Sequence, residues 1–427
     1  MSRNEICKLI ISTIKTFISS NECLETHRYP RRFVRKRRLS FIQVIMYLLF
    51  TTKASMFQNI SGLVESLGSE SFPNISKQAL SKARKGIKPS LFQEIFQISV
   101  DLFYKHITKR KLWHNYHIFA IDGTKLQLPN SSSNFAQYGE MFSKKNPKRR
   151  WTMALGSVVY DVLDDYVVHC SINRYLASER RAAIEHLKVL EALGIYDDSI
   201  VIFDRGYYSE NLFRYCVSHG HLCVMRLRET YKIAKSCCGD TIATLVGSPK
   251  DGTEDIAIRV IEVTLDNGEK EYLGTNVFDK DITRDMFQEL YFLRWPVETK
   301  YHELKHRLNI EEFSGATSIA IQQEFFINLL ISNLASLIKN QADESIDAGA
   351  SPTNKYRYQS NRSFVIGRIK DLLPKIIFGL KEISVIDDLF QQACRNKSQI
   401  QPGRKNKRPH KSNRRDRSHF NNRKRAV

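Results

Sequence analysis

The chain has 427 residues, an ordinary apolar content of 42% and a formal net charge of +21. That length allows two or three domains, each with a core of its own, and that charge points to a polyanion, most commonly nucleic acid. A membrane-spanning role is excluded by the apolar runs, because 39–50 contains Ser40 and Gln43, and 325–338 contains Asn328, Ser332 and Asn333. The first residues, MSRNEICKLI, lack a signal-peptide layout. Eight cysteines are scattered without a CxxC pair, which reads as reduced thiols in a cytoplasmic, nucleoid-associated protein.

Residues 1–108 read as a helical N-terminal DNA-binding domain. Ile6, Leu9, Ile10, Ile14, Phe17 and Ile18 recur at helical spacing. The run 27–38 interleaves Arg31, Arg32, Arg35, Lys36 and Arg37 with Tyr29 and Phe33, a mixture suited to phosphate contacts with stacking. A solvated loop is the alternative for any such run. Ser76 is placed to cap a short helix over 76–85 with Gln, Ser, Lys and Arg outward, the pattern of a helix-turn-helix reading helix. A helix opening at Ser90, with Gln93 completing a capping box, buries Phe92, Ile95, Phe96 and Phe103.

From residue 115 the period changes. A strand over 117–121 ends at Asp122-Gly123-Thr124, and 151–160 with 166–172 form a hairpin. A helix over 178–193 leads to the apolar run 199–203, which ends at Asp204-Arg205-Gly206-Tyr207. A helix over 209–218 and a strand over 222–227 complete a mixed α/β sheet. Residues 228–275 read as a β-rich insertion with a hairpin turn at Asp266-Asn267-Gly268. A helix from about Thr283 then runs into YFLRWPVETKYHELK (291–305), followed by helical segments over 319–339 and 364–380. The last 27 residues, 401–427, hold eleven Lys or Arg against one Asp and form no core, so they are expected to stay disordered until they meet a polyanion.

Tyr291, Arg294, Glu298 and Lys305 fall within roughly 60° of one another on one helix. Alone, that stripe is a solvated face with ion pairs from Glu298 to His302 or Lys305. A strand-end aspartate alone is a turn former. Together, two strand-end aspartates and a glutamate flanked by cations suit phosphodiester chemistry, in which two divalent ions activate one oxygen and stabilise the other. Carboxylates suit Mg²⁺, with Mn²⁺ as a substitute, and no Cys/His cluster is required.

These residues resemble the DDE transposases of bacterial insertion sequences, and more narrowly the group with the Tyr-(2)-Arg-(3)-Glu-(6)-Lys signature, often called the IS-four family. Tyr291, Arg294, Glu298 and Lys305 fit that spacing without a gap. Asp122 in Ile-Asp-Gly-Thr and Asp204 in Phe-Asp-Arg-Gly-Tyr are similar to the family's two aspartates, and Glu311-Glu312-Phe313-Ser314-Gly315 is similar downstream. The resemblance implies a ribonuclease-H-like catalytic domain over 109–335 with its insertion at about 228–275, followed by a helical region over 336–400. It implies Asp122, Asp204 and Glu298 as catalytic metal ligands for two Mg²⁺, with Tyr291, Arg294 and Lys305 on DNA. It also implies a homodimer on double-stranded transposon ends and target, acting by cut and paste.

Pro296 predicts a kink or fresh helix start that places Glu298 near a helix N-terminus. Hairpin-forming relatives use an insertion-domain tryptophan. Here the tryptophans are Trp113, Trp151 and Trp295, leaving Tyr231 or Tyr272 as substitutes, and Trp295 reads as packing beside the site. Two other readings compete: a DNA-binding regulator that has lost catalysis, and a structure-selective nuclease on the same fold.

Overall fold

Short β-branched runs between helices build one eight-stranded mixed sheet. The computed structural model describes residues 1–400, except 36, 51–53, 143–145, 147–149, 265–267 and the side chain of 251. The strands are β1 (His117–Gln127), β2 (Met153–Asp161), β3 (Tyr166–Arg174), β4 (Ser199–Phe203), β5 (Leu222–Leu227), β6 (Asp240–Leu245), β7 (Ile256–Thr264) and β8 (Lys270–Thr275). Their order is β3-β2-β1-β4-β5-β8-β7-β6. β1, β4 and β5 are parallel, and β2 and β3 form an antiparallel meander beside β1. This 3-2-1-4-5 arrangement of the first five strands is the ribonuclease-H-like fold.

All five residues of β4 are buried, as expected of a central parallel strand covered on both faces. The helix Glu179–Ala192 packs against β1, β2 and β3, and the helix Trp295–His306 packs against β1. β1 does not stop at Asp122-Gly123-Thr124. Its parallel pairing with β4 ends at Ile121 opposite Phe203, while its antiparallel pairing with β2 continues to Gln127. The β-rich stretch is continuous with the sheet, because β8 pairs with β5, β7 with β8 and β6 with β7. Of the expected turn, Asp266 and Asn267 lie outside the described residues, and Gly268 has φ 82°. Only glycine adopts that conformation without strain.

The 31-residue helix Ser318–Ala348 is the axis of the helical part. It packs against Arg3–Ser19, Ser90–His106, Arg362–Ile377 and Val385–Arg395, so helices from both ends of the chain share one body. Ser90 is the first helical residue rather than the cap. Pro89 holds the cap position and makes no side-chain bond there, while Ser90 Oγ lies 3.1 Å from His27 Nδ1. The short helix Lys77–Arg84 does begin at a capping Ser76, whose side chain accepts from Ala79 N–H at 3.2 Å. Arg84, expected outward, is buried. It donates to Gln323 and Glu324, each at 2.8 Å, because it closes the seam between this helix and the long one. All eight cysteines are free. Among the described residues, no helix is long and apolar enough to cross a membrane.

Candidate active site

Because Ile121 sits opposite Phe203 in the parallel ladder, the next residue of β1 and the residue after β4 emerge at the same level. Those residues are Asp122 and Asp204. The Asp122 carboxylate accepts from Gly123 N–H at 2.9 Å. Its backbone carbonyl accepts from Tyr301 Oη at 2.6 Å and Ser157 Oγ at 3.3 Å.

Tyr301 lies on the helix Trp295–His306, three residues beyond Glu298. The expected single stripe from Tyr291 to Lys305 is divided. One helix ends at Phe292, Arg294 takes the cap position of the next, and Pro296 sits in its first turn. Proline is favoured there because its missing N–H would have no partner anyway. Glu298 therefore lies in a first turn, where the helix dipole favours a carboxylate.

The signature residues still converge across that break. Tyr291 Oη donates to Asp204 Oδ1 at 3.4 Å, and Arg294 Nη2 donates to Glu298 Oε1 at 2.8 Å. Tyr291 and Arg294 are buried, whereas the Glu298 side chain is 42% exposed. Lys305 Nζ donates to the Lys125 carbonyl at 2.9 Å and lies 4.0 Å from Glu311, tying the far end of the helix to β1. Trp295 lies beside the site, against Arg294, on a partly open face. It is 44% exposed, with the Arg294 guanidinium 5.7 Å from its ring.

Burial pushes the Asp122 carboxyl up to about 7, against the opposing pull of Gly123 N–H and Arg294, and the negative charges of Asp204 and Glu298 push it further. Its protonation thus responds to the other two acids, as expected of carboxylates sharing one site. Burial also raises the Tyr291 phenol, which Arg294 partly offsets.

The donors are oxygens only, the set that Mg²⁺ or Mn²⁺ takes. The Tyr207 phenol, 2% exposed, is raised first by burial and then by the negative charges of Asp122, Glu179 and Asp204. Chemically the residues fit a hard divalent cation. As they stand, no three Asp, Glu, His or Cys side chains among the described residues are grouped to hold one. Glu298 is drawn to Arg294, and carboxylates with no cation between them repel.

The basic run 27–38 and the helix Lys77–Arg84 lie together. Arg31, Arg32, Arg35 and Arg37 line one cleft with Arg38, Ser76 and Lys82. Tyr29 N–H donates to the Gly86 carbonyl at 3.0 Å, pinning the basic segment to the end of that helix. A Cβ on Gly86 would meet Phe33 at 2.9 Å, so the close approach requires glycine. Lys36 lies outside the described residues, as does the tail 401–427.

Residues 113–334, more than half of the chain, match the family described as Transposase DDE domain. The chain belongs to that family. The DDE domain begins just before β1 and ends inside the long helix, so Asp122, Asp204 and Glu298 all lie within it and the basic cleft lies before it. No curated protein matches the chain. Among solved structures, a cryo-EM structure of the piggyBac transposase synaptic complex with hairpin DNA is similar at 11% identity, over 92% of this chain and 85% of that one, with a TM-score of 0.49.

Within the DDE domain, sequence reasoning missed the groups that hold the Asp122 backbone. Tyr301 sits one turn from Glu298, a spacing that could have flagged it. Ser157 carries no local signal, because only the pairing of β2 with β1 brings it near Asp122.

Proposed function

We propose that this DDE-domain protein is a transposase that cleaves and rejoins double-stranded DNA at the inverted-repeat ends of an insertion sequence, by cut and paste. We place it in the Tyr-Arg-Glu-Lys signature group. The observation that carries this reading is the convergence of Asp122, Asp204 and Glu298 at the end of the β1–β4 ladder, with Arg294 and Tyr291 bonded into it.

Asp122, Asp204 and Glu298 would hold two Mg²⁺, which when bound supply charge stabilisation and an activated oxygen for in-line displacement at phosphorus. Tyr301 and Ser157 hold the Asp122 peptide still while its carboxylate works. Arg294, paired with Glu298 at 2.8 Å, would have its guanidinium fork free for bidentate contact with a DNA phosphate were Glu298 to hold a cation instead. Tyr291 and Lys305 complete the grip on the cleaved end. Two copies of the chain act on paired ends.

The test is to incubate the full chain with DNA carrying the element's ends and Mg²⁺ or Mn²⁺, and to score nicks and joined products. Nicks at the ends are expected. Binding without cleavage under either metal would leave only a DNA-binding regulator, and cleavage indifferent to the ends would indicate a structure-selective nuclease.

The cleft of Arg31, Arg32, Arg35 and Arg37 is assigned to backbone phosphates. Changing all four to alanine is expected to flatten the plot of log affinity against log salt by roughly 0.9 for each phosphate that the protein no longer neutralises. Filter binding between about 50 and 300 mM salt measures this. An unchanged slope would remove the cleft from the DNA interface.

A further inference from the structure

Two buried histidines reach Asp122 through a serine. His186 lies on the helix Glu179–Ala192 and is fully buried. Its Nδ1 is 2.9 Å from Nδ1 of His169 on β3, and its Nε2 is 2.9 Å from Ser157 Oγ on β2. Ser157 Oγ in turn donates to the Asp122 carbonyl at 3.3 Å. The same helix also reaches the loop after Asp204, because Arg180 donates to the carbonyls of Tyr207 at 3.1 Å and Gly206 at 3.3 Å. One helix is therefore tied to the segments that carry both aspartates.

The positions of the hydrogens give this chain a direction. Burial lowers both imidazoles, His169 to about 4 against the opposing pull of Glu185, so both rings are neutral near physiological pH. A neutral imidazole carries one N–H, and a serine hydroxyl has one hydrogen and two lone pairs. With its hydrogen on the Asp122 carbonyl, Ser157 can only accept from His186 and from the Tyr207 hydroxyl, which bonds the same serine. His186 must then carry its hydrogen on Nε2, which leaves its Nδ1 to accept from His169 Nδ1–H. From His169 to the serine, every hydrogen points toward Asp122. The reverse order, with the hydrogen on His186 Nδ1, would turn the serine hydroxyl toward the ring and away from that carbonyl. Packing alone does not call for such a chain, since apolar side chains would fill the volume without polar rings to satisfy.

We propose that His186 is a positioning residue for Asp122: it turns the Ser157 hydroxyl onto the Asp122 carbonyl, and so links that aspartate to the helix that also holds the Asp204 loop. This rests on the reading of the two aspartates as metal ligands. His169 fixes the tautomer that His186 needs. Groups that orient a metal ligand without touching the metal typically matter by about 10- to 100-fold in metal affinity or activity.

Nitrogen NMR of the full chain labelled at histidine reads the tautomer directly, the His186 signal being the one missing from His186→Gln. The hydrogen is expected on Nε2, and a hydrogen on Nδ1 overturns the proposal. The second readout is the Mn²⁺ concentration that gives half-maximal cleavage of DNA carrying the element's ends. His186→Leu is expected to raise it about tenfold, Ser157→Ala to do the same, and the double variant to go no further, because both changes break one chain. His186→Gln, whose amide nitrogen reaches about as far as Nε2, is expected to stay near the wild type. Melting in EDTA checks that each variant is folded. Losses that add in the double variant, or a His186→Leu protein with the wild-type Mn²⁺ dependence, overturn the proposal and leave the reading of the aspartates standing. If Asp122→Asn cleaves like the wild type, that reading falls and the proposal falls with it.

Discussion

Asp122→Asn is expected to abolish DNA strand cleavage and, in the same metal-free protein, to raise its melting temperature. The catalytic loss is expected to be ~10³-fold or more, since removing even one preorganised electrostatic group costs about 10²–10³. The gain in stability has a different origin. Burial and the neighbouring acids lift the folded-state carboxyl to about 7 from the ordinary value of 3.8. Below the ordinary value, Asp122 is neutral in both folded and unfolded chains and costs nothing. As the pH rises through 4 toward 7, the unfolded chain releases the proton that the folded chain retains, so stability falls across that window and levels off above it. Asparagine keeps the shape of the neutral acid and removes this dependence. At ~1.4 kcal/mol per pH unit, the variant should gain roughly 4 kcal/mol at pH 8 and almost nothing at pH 4. Millimolar Mg²⁺ should shrink the difference, because a bound cation stabilises the folded wild type by mass action. Thermal melts at pH 4, 6 and 8, with EDTA or Mg²⁺, check this. A variant less stable than wild type at pH 8 in EDTA would show that Asp122 is an ordinary ionised side chain.

Much of this site was legible before any coordinates, for identifiable reasons. β4 is a buried apolar run, so its end and Asp204 could be placed from composition alone. Pro296 has a fixed φ and no N–H, and the helix indeed starts afresh at Trp295, with Glu298 in its first turn. The same break separates Tyr291 from Glu298, which an unbroken helical period could not anticipate. What remained hidden depends on long-range partners. Arg84 looked like one more outward cation, yet Glu324 and Gln323 lie 240 and 239 residues away in sequence and draw it inside. The pairing of β8 with β5 was equally illegible, because alternation shows that a strand has two faces and not which edge it joins. Tyr301 reads as an ordinary core aromatic until its hydroxyl is seen to reach the Asp122 carbonyl.

Lys300→Met is expected to destabilise the protein by about 3–5 kcal/mol, the usual cost of leaving a buried charge without its partner. Lys300 is 2% exposed, and its Nζ lies 2.6 Å from Asp165 and 3.7 Å from Glu303. Arg362 pairs with the same two acids and donates to Ser336 at 2.7 Å. Two cations thus balance two anions. Burial alone would raise the Asp165 carboxyl, but Arg362 and Lys300 hold it well below the usual carboxylate range. Methionine retains the length of the lysine stem, so the loss would report charge rather than a cavity. The double variant Lys300→Met with Asp165→Asn leaves Arg362 facing Glu303 alone, restores the balance, and should recover most of the stability. Denaturant unfolding of the two variants measures both steps. The network also has a bearing on catalysis, because Lys300 and Glu303 share their helix with Glu298 and join it to the β2–β3 turn and to the helix Arg362–Ile377. A helix loosened there would misplace the glutamate, and an ångström of misplacement costs about 10²-fold in rate. Cleavage should therefore fall in the single variant and return in the double. A single variant as stable as wild type would show that the four charges are not coupled, and cleavage lost equally in both would show that balance at this network does not position Glu298.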